Sequence, residues 1–308
     1  MHMADALLSP AVGATFCAAS AGLLAYSARQ VAREQDYERK LPLMGVLGAF
    51  VFAAQMINVS IPGTGSSGHI GGSMLLAILL GPYAAFLVIA SVLVIQCLFF
   101  ADGGLLALGC NIFNMGFWPA FVGLLLYRRV SAGREMSAWG SFAAVLAVVV
   151  SLELGAFGVV METLLSGRSE LPFTQFSATM LGIHFPIALM EGLITVGVVQ
   201  FVRRLMPERL GSAAPVRTRA VAIAAILGVA LFVSTVVAWF ASSHPDGLEW
   251  SMTRVLGKQE LPAATWPAVS LGTSFAGAAG ALTTAILIFI LGGVLFLVRG
   301  RKMAGHRA

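Results

Sequence analysis

Met1 and His2 could hold a metal ion with little help from the rest of the chain. A free α-amine, the amide nitrogen of residue 2 and the imidazole Nδ1 of His2 can chelate one ion from one side. The chelate rings would be five- and six-membered, and neither is strained. Three nitrogens in a plane leave one in-plane position open, and planar nitrogen donors suit Ni(II) or Cu(II). The plainer alternative is that His2 is an exposed polar residue near a chain end. A second histidine, His69, lies in the loop PGTGSSGHIGG, residues 62–72. Glycines let such a backbone fold tightly over a small ligand, so His69 could fill the fourth position. The same loop also reads as a flexible connector with a solvated histidine.

A third set of residues is polar within otherwise apolar runs: Asn58, Asp102, Asn111, Asn114, Glu153, Glu162, His184 and Glu191. Ionisable groups in membrane segments are rare and usually face a cavity or a partner. His184 and Glu191 lie seven apart, so two helical turns put them on one face. His184 is expected near the outer end and Glu191 deeper. For each of these residues hydrogen bonding between helices is the simpler role. Asp102 and Asn58 flank the outer loops and are better placed to support a metal site from behind its ligands. The three cysteines, Cys17, Cys97 and Cys110, form no CxxC pair and read as core. The pairs Gly45/Gly48 and Gly292/Gly293 read as helix-packing positions. No GxxxxGK[ST] phosphate loop, HExxH or serine-based catalytic motif occurs, so no ATP site or hydrolase reading has residues to stand on.

The elements that must position these residues are membrane helices. Hydrophobic residues make up 58% of the 308 and charged residues only 11%, with a mean hydropathy of +0.89. A soluble domain carries about 25% charged residues. Sixteen of the nineteen Lys/Arg fall in segments 29–40, 128–134, 203–219 and 299–307. The positive-inside rule places all four in the cytoplasm. This clustering explains the net charge of +5 without a nucleic-acid partner.

Spans are then expected at 7–28, 41–61, 105–127, 138–165, 178–202, 220–241 and 271–298. Segment 73–100 must start and finish outside, so it crosses twice or forms a re-entrant hairpin. Gly81-Pro82 is the natural turn. Its first arm is shorter than the roughly 20 residues a span needs and must be buried in protein. The expectation is an all-α polytopic bundle of about seven spans plus two C-terminal ones. The N-terminus, His2 and His69 lie outside, and the C-terminus is cytoplasmic. No Lys or Arg precedes Arg29, so the start lacks the basic region of a cleaved signal peptide. Methionine is also rarely trimmed before a residue as large as His2. The basic, proline-containing stretch 206–219 divides a domain at 1–205 from a two-span unit at 220–308.

At this point the residues add up to a family. The run MHMADALLSP and the segment FVFAAQMINVSIPGTGSSGHIGGSMLLAILLGPYAAFLVIASVLVIQCLFFADGGLLALGCNIFNMG strongly resemble the CbiM/NikM family, as do LPLMGVLGAF and HFPIALMEGLIT. These are substrate-capture subunits of energy-coupling-factor transporters for cobalt and nickel. The resemblance covers about residues 1–205. The C-terminal unit, with HPDGLEW at 244–250, resembles the small partner subunit CbiN/NikN, or PDGLE type, fused to the same chain.

The resemblance implies a metal held by the N-terminal amine, the amide nitrogen and imidazole of residue 2, and a histidine in the loop after the second span. Those map to Met1, His2 and His69. The start departs from the commoner MHIPDGFLSP at Met3, Ala4, Ala6 and Leu7, but keeps Asp5, which joins Asn58, Asp102, Asn111, Asn114, His184 and Glu191 as a supporting or pathway candidate.

The implied activity is ATP-dependent uptake of Ni(II), or of Co(II) in the alternative reading, across the inner membrane. A membrane coupling subunit and ATPase subunits would supply the energy. The competing class is a stand-alone, proton-coupled transporter working through Glu191 and His184.

Overall fold

In the computed structural model the described residues are mainly helical. It is described over residues 1–205, 216–257 and 273–305. After a short 3-10 turn at Asp5–Leu7 come α1 (Pro10–Arg33) and α2 (Tyr37–Gln55). A small antiparallel hairpin follows, β1 (Val59–Ile61) with β2 (Ser66–Gly68), pairing Val59 with Gly68. Next are α3 (Ser73–Leu80) and α4 (Pro82–Phe100). Helix α5 (Leu108–Ile112), a π-helical stretch (Phe113–Gly123) and α6 (Leu124–Ser131) run on as one rod. Then come α7 (Ala138–Ser166), α8 (Phe173–Leu205), α9 (Val216–Thr235), α10 (Gly247–Leu256) and α11 (Thr273–Gly305).

Six helices among the described residues are long and apolar enough to cross a membrane: α1, α4, the Leu108–Ser131 rod, α7, α8 and α11. The apolar parts of α2 (Lys40–Gln55) and α9 (Ile223–Thr235) are shorter. Large apolar side chains lie exposed on the outer faces, among them Phe157, Leu193, Phe232 and Phe296. Water would not tolerate such a surface; lipid does. The expected segment 41–61 stops being helical at Gln55, because residues 59–61 leave to pair with β2. Linker residues 206–215 and loop residues 258–266 lie outside the described residues, and 216–219 already belong to α9.

Segment 73–100 turns at the expected place. Gly81 sits at φ +85° and Pro82 opens α4 as its first residue, where its missing N–H costs nothing. The eight residues of α3 are too few to span, and seven of them are buried. The Ser73 hydroxyl donates to the Met115 carbonyl in the π-helical stretch. Pro119 lies within that stretch, and it cannot supply the amide a regular α-helix would require there.

The C-terminal helices α9 and α11 pack on α2. Three of the four paired glycines serve this packing: a Cβ at Gly45 would meet Phe289, one at Gly48 would meet Ile288, and one at Gly292 would meet Leu41, whereas one at Gly293 would meet open space. The basic turns gather at one end of the bundle. Arg203 pairs with Glu135 at 2.7 Å, and Lys40 pairs with Glu34. The opposite end holds residues 1–9, the β1–β2 hairpin, the 101–107 turn and α10.

Candidate functional site

The N-terminal segment is built into the bundle. Ser9 caps α1, its hydroxyl accepting from Val12 N, and Pro10 opens the helix. Ahead of it Met3, Leu7 and Leu8 are buried. Each such side chain contributes roughly 1.5–3 kcal/mol on leaving water. Polar contacts then set the register. The Asn111 side chain grips the Met3 backbone from both sides: Met3 N donates to Oδ1 at 2.8 Å, and Nδ2 donates to Met3 O at 3.3 Å. Gly104 N donates to the same carbonyl at 3.0 Å, and Asp5 Oδ1 accepts from Ala107 N at 3.0 Å. The approach is so close that a Cβ on Gly104 would overlap the Asp5 side chain.

This seating delivers Met1 and His2 to one place. The Met1 α-amine lies 3.0 Å from Asp246 Oδ2. His2 Nδ1 lies 3.2 Å from Asp102 Oδ1, and the buried ring also faces the Gln96 side chain. Asp102 is turned toward it by Ala101, which ends α4 in the left-handed region at φ +52°. The His2 and His69 rings stack, with centroids 5.3 Å apart and an interplanar angle of 25°. Burial, then repulsion from the α-ammonium, drops the His2 pKa to about 3. Burial and the neighbouring His2 and α-ammonium drop that of His69 to about 4. Both imidazoles are therefore neutral, each keeping a lone pair on one nitrogen. Asp102 moves the other way: burial raises its pKa, against the pull of His69 and the α-ammonium.

His69 is held by the loop behind it. Its Nδ1 lies 3.1 Å from the Ile70 carbonyl. A carbonyl can only accept, so Nδ1 carries the proton and Nε2 the lone pair. Ligating histidines are commonly anchored in this way. Glu191 accepts from Gly71 N at 2.8 Å and from Gly72 N at 2.9 Å. Gln55 Nε2 donates to Gly71 O at 2.6 Å, and Gln96 Nε2 donates to Gln55 Oε1 at 2.8 Å. Gly72 adopts φ +74° with Val51 where a Cβ would stand, so both conformation and space ask for glycine. The loop thus descends into the bundle as far as the middle of α8.

The C-terminal unit closes the same end. Ser67 N donates to Pro245 O at 2.8 Å, Ser67 Oγ to His244 O at 2.7 Å, and Trp250 Nε1 to Thr64 O at 2.9 Å. Gly247 packs against the His184 ring, whose Nδ1 lies 2.7 Å from the Met180 carbonyl. A cavity of about 30 Å³ remains between Met1, His69, His184, Glu191, Asp246 and Gly247. That is room for a water-sized body. A second, of about 20 Å³, lies against Met1, Asn114, Met115 and Glu191.

Of the residues singled out in the sequence, Met1, His2, His69, Asp102, His184 and Glu191 come together here, with Asp5 and Asn111 seating the N-terminal segment. Asn114 donates to Glu162 at 2.8 Å, which is the simpler helix-to-helix role. Asn58 holds the C-terminal unit through its backbone, its carbonyl accepting from Ser242 N at 2.7 Å. Among the described residues no three His, Cys, Asp or Glu side chains gather as a metal cluster. The donors that do gather include a main-chain amine. Sequence reasoning missed Asp246, Gln55 and Gln96. Asp246 carried a signal in its D-x-x-E spacing ahead of an apolar run, the mark of a capping box.

Known proteins share this arrangement of sequence. The profile of the CbiM family, described as a cobalt uptake substrate-specific transmembrane region, matches residues 2–209, and that of the PDGLE domain matches 220–269. A chain from Archaeoglobus fulgidus, assigned by its name to the fused nickel transport proteins (NikMN), is 34% identical over 301 residues, covering 94% of this chain and 98% of that one. A Lactiplantibacillus plantarum chain likewise assigned as a fused nickel transport protein (LarMN) is 33% identical over 260 residues, 82% of this chain and 78% of that one. A crystal structure of a transition metal transporter matches 68% of this chain and 96% of its own, with a TM-score of 0.59 and 30% identity.

Proposed function

The chain belongs to the CbiM family, with a PDGLE-type unit at its C-terminal end, and on that premise we propose that it captures Ni(II) at the outer face of the membrane. In this reading it is the substrate-specific subunit of an energy-coupling-factor transporter. A membrane coupling subunit and ATPase subunits move the metal inward, and the membrane is the cell's inner one. As a CbiM-family chain it is a multi-pass component of metal uptake; the ion, the partners and the energy source are the proposal.

One observation carries the reading: the Met1 α-amine, His2 and His69 lie together at the end of the bundle, with both imidazoles neutral. The proposed donors are the α-amine, the His2 amide nitrogen, the His2 imidazole and His69. Binding through Nδ1 of His2 requires that ring to leave Asp102 and to carry its proton on Nε2 instead of Nδ1. The amine and amide must also lose protons, so affinity falls as pH falls.

Planar nitrogen donors favour Ni(II), which also stands above Co(II) in intrinsic affinity. The nickel names of the relatives matched along most of the chain point the same way. Co(II) is the second reading, favoured by the cobalt description of the family itself. Uptake of each ion into vesicles, with and without the coupling and ATPase subunits, tests the proposal. Nickel uptake that requires ATP and all subunits supports it. Uptake by this chain alone along a proton gradient contradicts it.

A further inference from the structure

We propose that Asp246, carried by the C-terminal unit, positions the N-terminal amine as a metal donor and stays bonded to it when the metal is bound. The inference rests on the preceding reading of Met1 as a ligand.

The carboxylate is held in a fixed pose. Oδ1 accepts from Glu249 N at 2.8 Å and Asp246 N donates to Glu249 Oε2 at 3.3 Å, the reciprocal pair of a capping box. This leaves Oδ2 free, and the Met1 amine takes it at 3.0 Å. The backbone on either side is fixed to the N-terminal domain through Ser67 and Trp250. Oδ2 faces the cationic amine and Oδ1 a backbone N–H, two donors that the carboxylate form accepts from.

The chemistry allows one contact to serve both states. The α-ammonium has three N–H groups. On binding a metal it releases one proton to solvent and offers its lone pair to the ion, keeping two N–H groups. One of these still donates to Oδ2. A carboxylate bonded to a ligating group orients it and raises its basicity, which is worth about 10–100-fold in metal affinity. The negative charge of Asp246, with that of Asp102 across the site, also offsets the charge of a divalent ion taken out of water. The N-terminal domain thus borrows part of its metal site from the fused unit.

The test uses the full chain in detergent and Ni(II) equilibrium dialysis at fixed pH. Asp246→Asn and Asp246→Ser both keep a residue that caps helices well. Asn offers the amine an NH2 in place of an anion, and Ser is too short to reach it. The expected result is Ni(II) affinity about 10–100-fold weaker in both, a larger loss in each than the small fall in metal-free Tm from the broken Met1–Asp246 ion pair accounts for. Affinity equal to that of the unaltered chain, or lost only in step with a falling Tm, overturns the proposal. His2→Ala run alongside separates the two levels. If His2→Ala abolishes binding and the Asp246 variants do not weaken it, this inference fails alone. If His2→Ala leaves binding intact, the chelate reading fails and takes this inference with it.

Discussion

The imidazoles of His2 and His69 face each other with centroids 5.3 Å apart and planes 25° from parallel. They are 67 positions apart in the chain, and each is brought in by its own scaffold. His2 arrives on a segment seated by Asn111, Asp5 and buried Met3, Leu7 and Leu8. His69 arrives on a loop drawn down by Glu191 and Gln55. Neither scaffold is a metal ligand, and each can be broken separately.

Breaking the His69 scaffold should loosen metal without removing a donor. In Glu191→Gln one carboxylate oxygen becomes an NH2, which cannot accept from a glycine amide. One of the two loop contacts is lost. Ni(II) affinity should fall about tenfold, and further in Glu191→Ala. Dialysis of the purified variants checks this; affinities equal to the parent would mean that the loop holds His69 without Glu191.

The His2 scaffold has a steric weak point at Gly104. Gly104→Ala places a methyl group where the Asp5 side chain lies, so residues 1–5 must lift. The helices of the bundle do not depend on that contact. The expected outcome is metal affinity reduced at least tenfold, as for lost supporting contacts in other sites, with an unchanged far-ultraviolet circular dichroism spectrum. Hydrogen exchange should rise in residues 1–8 and at the Gly104 and Ala107 amides that donate to them, and not in the rest of the bundle. Wild-type affinity and protection in the variant would show that the segment seats some other way.

Stability should depend on pH through the same two rings. Their folded pKa values, about 3 and about 4, lie below the unfolded value of about 6.5. Between about pH 6.5 and 4 the unfolded chain binds protons that the folded chain refuses. The contribution of the two rings therefore rises with pH across this window and is lost as pH falls through it, against a smaller opposing one from the single carboxyl of Asp102, whose pKa burial raises. Asp246 shifts in the opposite sense to a buried acid, and its contribution is lost only below about pH 3.9, outside the window. Metal-free Tm should decline from pH 7 to 4.5, and the decline should be shallower in His2→Ala. Equal slopes would remove His2 as the cause.

Much of this was legible in the sequence, for reasons tied to particular residues. Hydropathy shows the helices because lipid imposes apolar faces. Gly81-Pro82 shows its turn because only glycine and proline fit there so cheaply. His2 and His69 stand out because few histidines occur in the chain. What stayed hidden was pairing across sequence distance. Glu191 read as a buried charge between helices, yet its partners are two backbone amides of a loop, which no side-chain pattern reveals. Asp246 read as part of a family motif, and its contact with Met1 exists only once the two ends of the chain fold together. The hairpin at 59–68 was masked by serines and glycines with little strand propensity.

The central claim is that the amine of Met1 and the imidazole of His2 bind the metal. It is tested most directly by Ni(II) equilibrium dialysis on full-length chain whose first residue is verified as Met1 by N-terminal sequencing. Beside it stand the same chain with two residues added before Met1, and His2→Ala. One tightly held Ni(II) per chain is expected, lost in both altered forms, because extension carries the amine away from His2. Undiminished binding in the extended chain would contradict it.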